Sequence, residues 1–292
     1  MLKTLLGTLT RLWLLVSIFI LILSSIATFF VWQHFWPVKS DAGWSYEVYL
    51  DDIPMVSALA MDRQSNLFVS QEFRNGKGLI FKRSRDGTRQ DIVTHLSKPD
   101  GLAVYQDGIV IGQEVDGAKL LWWRDGKATP LLIGQSIEGL TSDGPTLFAV
   151  EDRKLQGRLL RYDAAEKNVE VLRDGLDESE GVAVCPDGGL FFTEKNFGWI
   201  KRFVKNAQDE IVVRGLHSPS FLMCDEDGLW ITEDLTHQAR LLLWDTSGKL
   251  HTVLSHLRSP QTIIATGPNR YLLAEQGRGR ILELRRHPDA QH

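Results

Sequence analysis

The sequence predicts an all-β protein, a six-bladed β-propeller behind an N-terminal transmembrane helix, and three observations carry that reading. A phrase of strand, turn and strand recurs six times at a period near 40 residues, the spacing of a propeller or solenoid unit. Helical periodicity is essentially absent after residue 33, and Asp-Gly turns at 107–108, 187–188 and 227–228 join paired apolar runs as hairpin chemistry requires. The head of the chain differs from the rest: residues 12–32 contain no charged side chain, enough to cross a bilayer as a helix, which takes about 20 residues.

Residues 1–33 are therefore expected to be a cytoplasmic stub and signal-anchor helix. Lys3 and Arg11 precede the apolar run, which puts the N-terminus in the cytoplasm and the rest of the chain in the periplasm or outside the cell. The alternative is a cleaved signal peptide, with Ser25-Ile26-Ala27 as a weak small-residue site; the apolar run continues past it through Trp32. Residues 34–43 read as a polar linker, 44–286 as the propeller and 287–292 as a C-terminal tail. A formal charge of -4 on 292 residues carries no basic footprint for nucleic acid.

The six copies begin at Val56, Pro99, Ile137, Ser179, Pro219 and Pro260. Each is followed by a third strand (GLIFKRS, KLLWWRD, RLLRYDA, WIKRFVK, RLLLWDT, RILELRR), and all but the last by a fourth. Four strands per unit make a propeller blade. The sixth copy stops at Arg286, so its missing outer strand is assigned to WSYEVYL at 44–50, closing the ring from the N-terminus and leaving no open edge. Gly101, Gly139 and Gly181 fall early in inner strands, where blades crowd at the axis. Cys185 and Cys224 occupy equivalent places in successive copies. Such positions are expected to lie farther apart than the roughly 4.4–6.8 Å a disulfide allows between Cα atoms, so two buried free thiols are expected.

In a hairpin, the start of the first strand and the end of the second lie at the same end. Two registers are thus expected to line one rim of the central channel. The first is Ser57, Asp100, Glu138, Glu180, Ser220 and Gln261; the second is Gln71, Gln113, Glu151, Glu194, Glu233 and Glu275. All twelve are polar, seven are acids and none is basic. Like charges in a shared cavity raise one another's pKa unless neutralised. A bound cation does this, and an oxygen cage suits a hard ion such as Ca²⁺. The second register also reads as a hydrogen-bonding girdle that holds the blades. His217 and His256 precede inner strands and could reach the rim.

The phrase PxGLAV…DGxLxxTE, across residues 44–286, resembles the six-bladed superfamily of gluconolactonase/SMP-30, paraoxonase and strictosidine synthase. The resemblance implies a divalent ion in the channel, Ca²⁺ with Zn²⁺ or Mn²⁺ as alternatives, at Asp100, Glu138 and Glu180 with Gln261 in the same register. It implies a membrane-anchored lactonase or esterase acting on a small ester or lactone, with Glu180, Glu194, His217 or His256 as general base. Ser57, Gln71, Gln113, Glu151, Ser220, Glu233 and Glu275 would then complete the rim. The departures are specific. No Asn occupies the ligand register, and Gln261 stands where strictosidine synthase keeps its base, which argues against a condensation of that kind. A non-catalytic module that binds a ligand or an envelope protein is the alternative.

Overall fold

The computed structural model describes the backbone of residues 2–287 and the side chains of 10–32 and 35–287. It divides into two compact units, residues 1–38 and 39–292. In the first, a helix spans Leu2–Phe35, two residues beyond the expected end. Its segment Thr10–Trp32 is long and apolar enough to cross a membrane, with mean hydropathy 2.7 and none of the segment buried.

The second unit is a closed ring of six antiparallel sheets. Blade 1 is Val56–Met61, Leu67–Gln71, Gly78–Arg83 and Arg89–Leu96. The next four repeat that order, and each inner strand touches the inner strands of both neighbouring blades. Blade 6 contributes Pro260–Gly267, Arg270–Glu275 and Arg280–Arg286, and its outer strand is Trp44–Leu50, as the truncated sixth copy demanded. The register runs from Trp44 opposite Arg286 to Leu50 opposite Ile281. Trp44 anchors the closure edge-on against Trp230 of blade 5, centroids 5.4 Å apart, and Trp230 packs on Tyr271 of blade 6 at 4.4 Å.

One part of the expected linker is structured. Lys39 and Ser40 pair with Ser255 and Leu254 as a fifth strand on blade 5, and the Asp41 amide donates to the Val253 carbonyl at 3.0 Å. This two-residue strand covers part of an outer edge that would otherwise present unpaired backbone groups. Residues 288–292 of the expected tail lie outside the described residues.

The cysteine expectation is overturned. Cys185 and Cys224 form a disulfide that ties blade 4 to blade 5, with Cα atoms 4.9 Å apart. The reason is the crowding that the glycines already signalled. A Cβ on Gly181 would overlap the Ser220 carbonyl, and one on Gly101 or Gly139 would overlap a carbonyl of the next blade. Inner strands approach to backbone contact near the axis, so equivalent residues of adjacent blades come within disulfide reach.

Candidate functional site

Inner strands begin, and second strands end, at one end of the ring, called the mouth below. The central cavity, about 320 Å³, is lined beneath it by aliphatic residues of all six inner strands, among them Leu59, Leu102, Leu140, Ala183, Leu222 and Ile263. In blades 1, 4 and 5 a hydroxyl of the second strand fixes where the inner strand starts. Thr193 Oγ1 accepts from the amides of Glu180 (3.0 Å) and Gly181 (2.8 Å), Ser70 Oγ from Ala58 (2.7 Å), and Thr232 Oγ1 from Phe221 (3.1 Å). Each bond satisfies an amide at the start of the inner strand that lies outside the ladder.

The two registers do different things. In the first, Ser57, Asp100, Glu138, Glu180, Ser220 and Gln261 are all buried. The Ser57 hydroxyl donates to Asp100, and Gln261 Nε2 approaches Asp234 Oδ1 at 3.4 Å. In the second, the four acids are each held by a basic residue of the third strand. Arg158 binds Glu151 through both oxygens (2.6 and 2.7 Å), Arg240 binds Glu233 (2.7 and 2.5 Å), Lys201 pairs with Glu194, and Arg280 binds Glu275 (2.6 Å). Five of the six positions also brace the chain ahead of their own inner strand. Glu151 accepts the Gln135 amide (2.9 Å), Glu233 that of His217 (2.8 Å), Glu275 that of Arg258 (3.0 Å), and Gln113 that of Ser97 (3.0 Å). Gln71 donates to the Pro54 carbonyl at 2.9 Å and accepts from Arg89 at 3.0 Å. This is the girdle arrangement. Charge-assisted, forked pairs of this kind are directional and strong, so they set blade geometry.

The ring beside the first register is made by the residues one step further on: Glu72, Glu114, Asp152, Lys195, Asp234 and Gln276. Side chains alternate along a strand, so a step of one residue turns the group the other way. Lys195, at the start of a short 3-10 turn, donates to Glu180 and to Asp234 (3.1 Å). Lys98, two residues before Asp100, pairs with Glu114 and with Glu72 (3.4 Å), and Gln276 Nε2 donates to Glu72 at 2.7 Å. The site thus holds seven carboxylates and two ammonium groups. Oxygens of Glu72, Asp100 and Glu114, and of Glu114, Glu138 and Asp152, lie within 4.8 Å of one another.

The electrostatics follow from burial and crowding. Burial, then Glu72, holds Asp100 well above the usual carboxylate range. Burial, then Glu180 and Asp100, does the same for Glu138, and burial raises Asp152. Burial pushes Glu180 up to about 7, with Lys195 pulling in the opposite direction. Burial would lower Lys195, but Glu180 and Asp234 outweigh it and hold the ammonium charged. The histidines sit apart. His217 is exposed on the loop before blade 5, and His256 Nδ1 meets Ser255 Oγ at 3.2 Å, its pKa lowered by burial and then by Lys39 and Arg278.

The donor set is wholly oxygen, from carboxylates, hydroxyls and carboxamides, which is the chemistry of a hard divalent ion. Two buried oxygens in it, Asp152 Oδ1 and Ser220 Oγ, have no hydrogen-bond partner among the described residues. The residues present therefore fit such an ion.

No family model matches the chain, and no curated protein sequence matches it. Solved structures do. A gluconolactonase from Xanthomonas campestris is similar with TM-score 0.70 and 16% identity, over 85% of this chain and 91% of that one. Regucalcin of Agrobacterium tumefaciens, a calcium-binding protein, gives TM-score 0.67 and 13% identity over 82% and 93%. A chain of a nidogen/laminin complex gives TM-score 0.60 and 13% identity over 74% and 91%. This six-bladed propeller is thus similar in fold to a gluconolactonase and to regucalcin.

Proposed function

We propose that the propeller is a divalent-ion-dependent hydrolase of the lactonase or esterase type, anchored in a membrane and facing a compartment outside the cytoplasm. The observation that carries this reading is the buried carboxylate group at the mouth, whose oxygens converge within 4.8 Å. Asp100, Glu138, Glu114 and Asp152 are the proposed ligands, with Ser57, Ser220 and Gln261 as neutral oxygen donors beside them. An ion held there would polarise an ester carbonyl and lower the pKa of water near it. Glu180, pushed up to about 7, has the proton affinity of a general base at neutral pH. Lys195, bonded to Glu180 and Asp234, fixes where that carboxylate stands. Lys3 and Arg11 ahead of the apolar segment support a cytoplasmic N-terminus, and the disulfide supports an oxidising compartment for the propeller.

Calorimetric titration of the detergent-solubilised chain with Ca²⁺, Zn²⁺ and Mn²⁺ tests the ion. Binding is expected for the native protein and for Glu151→Gln, and lost in Glu138→Gln. Absence of binding by all three ions would overturn the reading. A screen of lactones and aryl esters on the loaded protein then tests hydrolysis, and an inactive loaded protein would favour the binding module.

A further inference from the structure

At the end of the ring opposite the mouth, the third strand of each blade carries a residue that faces the first residue of the second strand. Five of these are apolar or aromatic: Trp123 opposite Ile109, Tyr162 opposite Leu147, Phe203 opposite Leu190, Trp244 opposite Leu229 and Leu284 opposite Tyr271. They fill the seam with the preceding blade, as Trp123 does on Phe68 (centroids 5.7 Å apart) and Trp244 on Phe191 (6.1 Å). In blade 1 the residue is Arg83, opposite Leu67.

A second departure faces it. The residue just ahead of that second-strand position is Asn66, Gly108, Thr146, Gly189 or Gly228 in five blades, and Arg270 in blade 6. Both arginines fall in one seam, between blades 6 and 1, where a repeat built on packing calls for neither. Departures of this kind from a local rule concentrate at functional sites.

Arg83 and Arg270 line one cavity of about 190 Å³, with Arg85, Tyr49 and Ser84. Its charge is unbalanced. Glu283 is the one carboxylate among the described residues that line it, and Arg270 (3.0 Å) and Arg285 (2.7 Å) already hold it. Asp86, in the turn beside Arg85, accepts from the Thr88 amide at 2.9 Å. Arg83 is half-buried, yet its guanidinium makes a single hydrogen bond among the described residues, to the Tyr49 hydroxyl at 3.1 Å. It lies 5.5 Å from the centre of that ring and pairs with no carboxylate there. Since Tyr49 Oη accepts this bond, its own hydrogen remains to be donated.

We infer that the seam between blades 6 and 1 is a binding site for a phosphate-type dianion, free or carried on a small alcohol, held by Arg83, Arg270 and the Tyr49 hydroxyl. Three arginines against one carboxylate leave two positive charges, which match a dianion. Donors that arrive from blade 1, from blade 6 and from the closing strand suit a tetrahedral group better than a planar, singly charged carboxylate. Tyr49 belongs to Trp44–Leu50, the strand that closes the ring, so the bound anion would join that strand to blade 1. A ligand held by the closed ring and not by the unfolded chain stabilises the ring.

Calorimetric titration of the full chain with inorganic phosphate, in non-ionic detergent and without added divalent ions, tests the site. The native protein is expected to bind, and its urea unfolding midpoint to rise with phosphate but not with acetate at equal ionic strength. Arg83→Leu, which installs the residue blade 6 uses, should bind about tenfold or more weakly, and Arg124→Gln at the same end should bind as the native protein does. Tyr49→Phe keeps the ring and removes the hydroxyl, so it should weaken binding while the midpoint in phosphate-free buffer reports whether each variant folds. Absence of phosphate binding by the native protein, native-strength binding by folded Arg83→Leu, or an equal midpoint shift in acetate would overturn the inference. Glycerol 1-phosphate separates the two carriers: tighter binding than phosphate assigns an esterified ligand, and equal or weaker binding assigns the free ion. None of these readouts needs an ion at the mouth or catalysis, so they stand or fall apart from the hydrolase reading.

Discussion

Replacing Lys195 by Met isolates the role of the ammonium that bridges Glu180 and Asp234. Glu180 stands at about 7, against 4.5 for an ordinary glutamate. Its folded state thus holds a proton that the unfolded chain releases between those two values. The stability this group contributes is full below about pH 4.5 and falls as pH rises to 7, by about 3 kcal/mol in all at about 1.4 kcal/mol per pH unit. Above 7 the native curve should flatten with respect to Glu180, because the carboxylate is then ionised in both states. In Lys195→Met the opposing charge is gone, burial and the neighbouring Asp152 and Asp234 act unopposed, and the folded pKa rises further. The variant should continue to lose about 1.4 kcal/mol per pH unit above pH 7 where the native protein no longer does. Lys195 itself remains charged in both states across this range and adds no slope. The assay is urea unfolding of the solubilised chain in chelator from pH 5.5 to 8.5, read as the difference between the two curves. Parallel curves above pH 7 would refute the claim that Lys195 keeps Glu180 ionised.

Two further predictions separate the girdle from the channel. Glu233→Ala leaves the Arg240 guanidinium and the His217 amide without their acceptor and should cost about 3–5 kcal/mol in urea unfolding, with Ca²⁺ affinity unchanged by calorimetry. Cys185→Ser/Cys224→Ser opens a loop spanning 39 residues of sequence separation. The loss should be about 4 kcal/mol by the chain-entropy relation, and added reductant should lower the native unfolding midpoint and leave the variant's unmoved.

The architecture was legible because its signals are local and repeated. Asp-Gly turns, alternating apolar runs and a sixth copy that ends at Arg286 together specify both the blades and the strand that closes them. The disulfide was hidden by geometry. Strand spacing between blades shrinks towards the axis, and only the absent side chains of Gly101, Gly139 and Gly181 hinted how far. Which of the two readings of the second register applies, rim or girdle, was not legible for a related reason. Second strands such as LFVSQ and LFFTE are buried at every position, so hydrophobic alternation does not reveal which residues face the channel. The girdle residues end those strands, and the channel residues Glu72, Glu114, Asp152, Lys195, Asp234 and Gln276 come one position later. A column with five charged residues and one Gln was visible in the sequence. The lysine within it, and Lys98 ahead of Asp100, change what the acidic ring means.

Seven carboxylates in one ring, four of them buried, cannot all ionise without compensation. The chain supplies part of it at fixed points: Lys98 serves Glu72 and Glu114, and Lys195 serves Glu180 and Asp234. Asp100, Glu138 and Asp152 remain, on blades 2 and 3, with no hydrogen bond to a basic side chain among the described residues, and these are carboxyls whose pKa values burial raises. The demand for positive charge is thereby concentrated in one sector of the ring. A carboxyl raised in this way keeps its proton until something more strongly charged displaces it. A cation entering that sector competes with protons for Asp100 and Glu138, so its affinity should rise with pH. The lysines therefore do more than neutralise their partners: they determine which carboxylates are left to receive an ion, and they leave Glu180 beside that sector as an acid poised near neutrality.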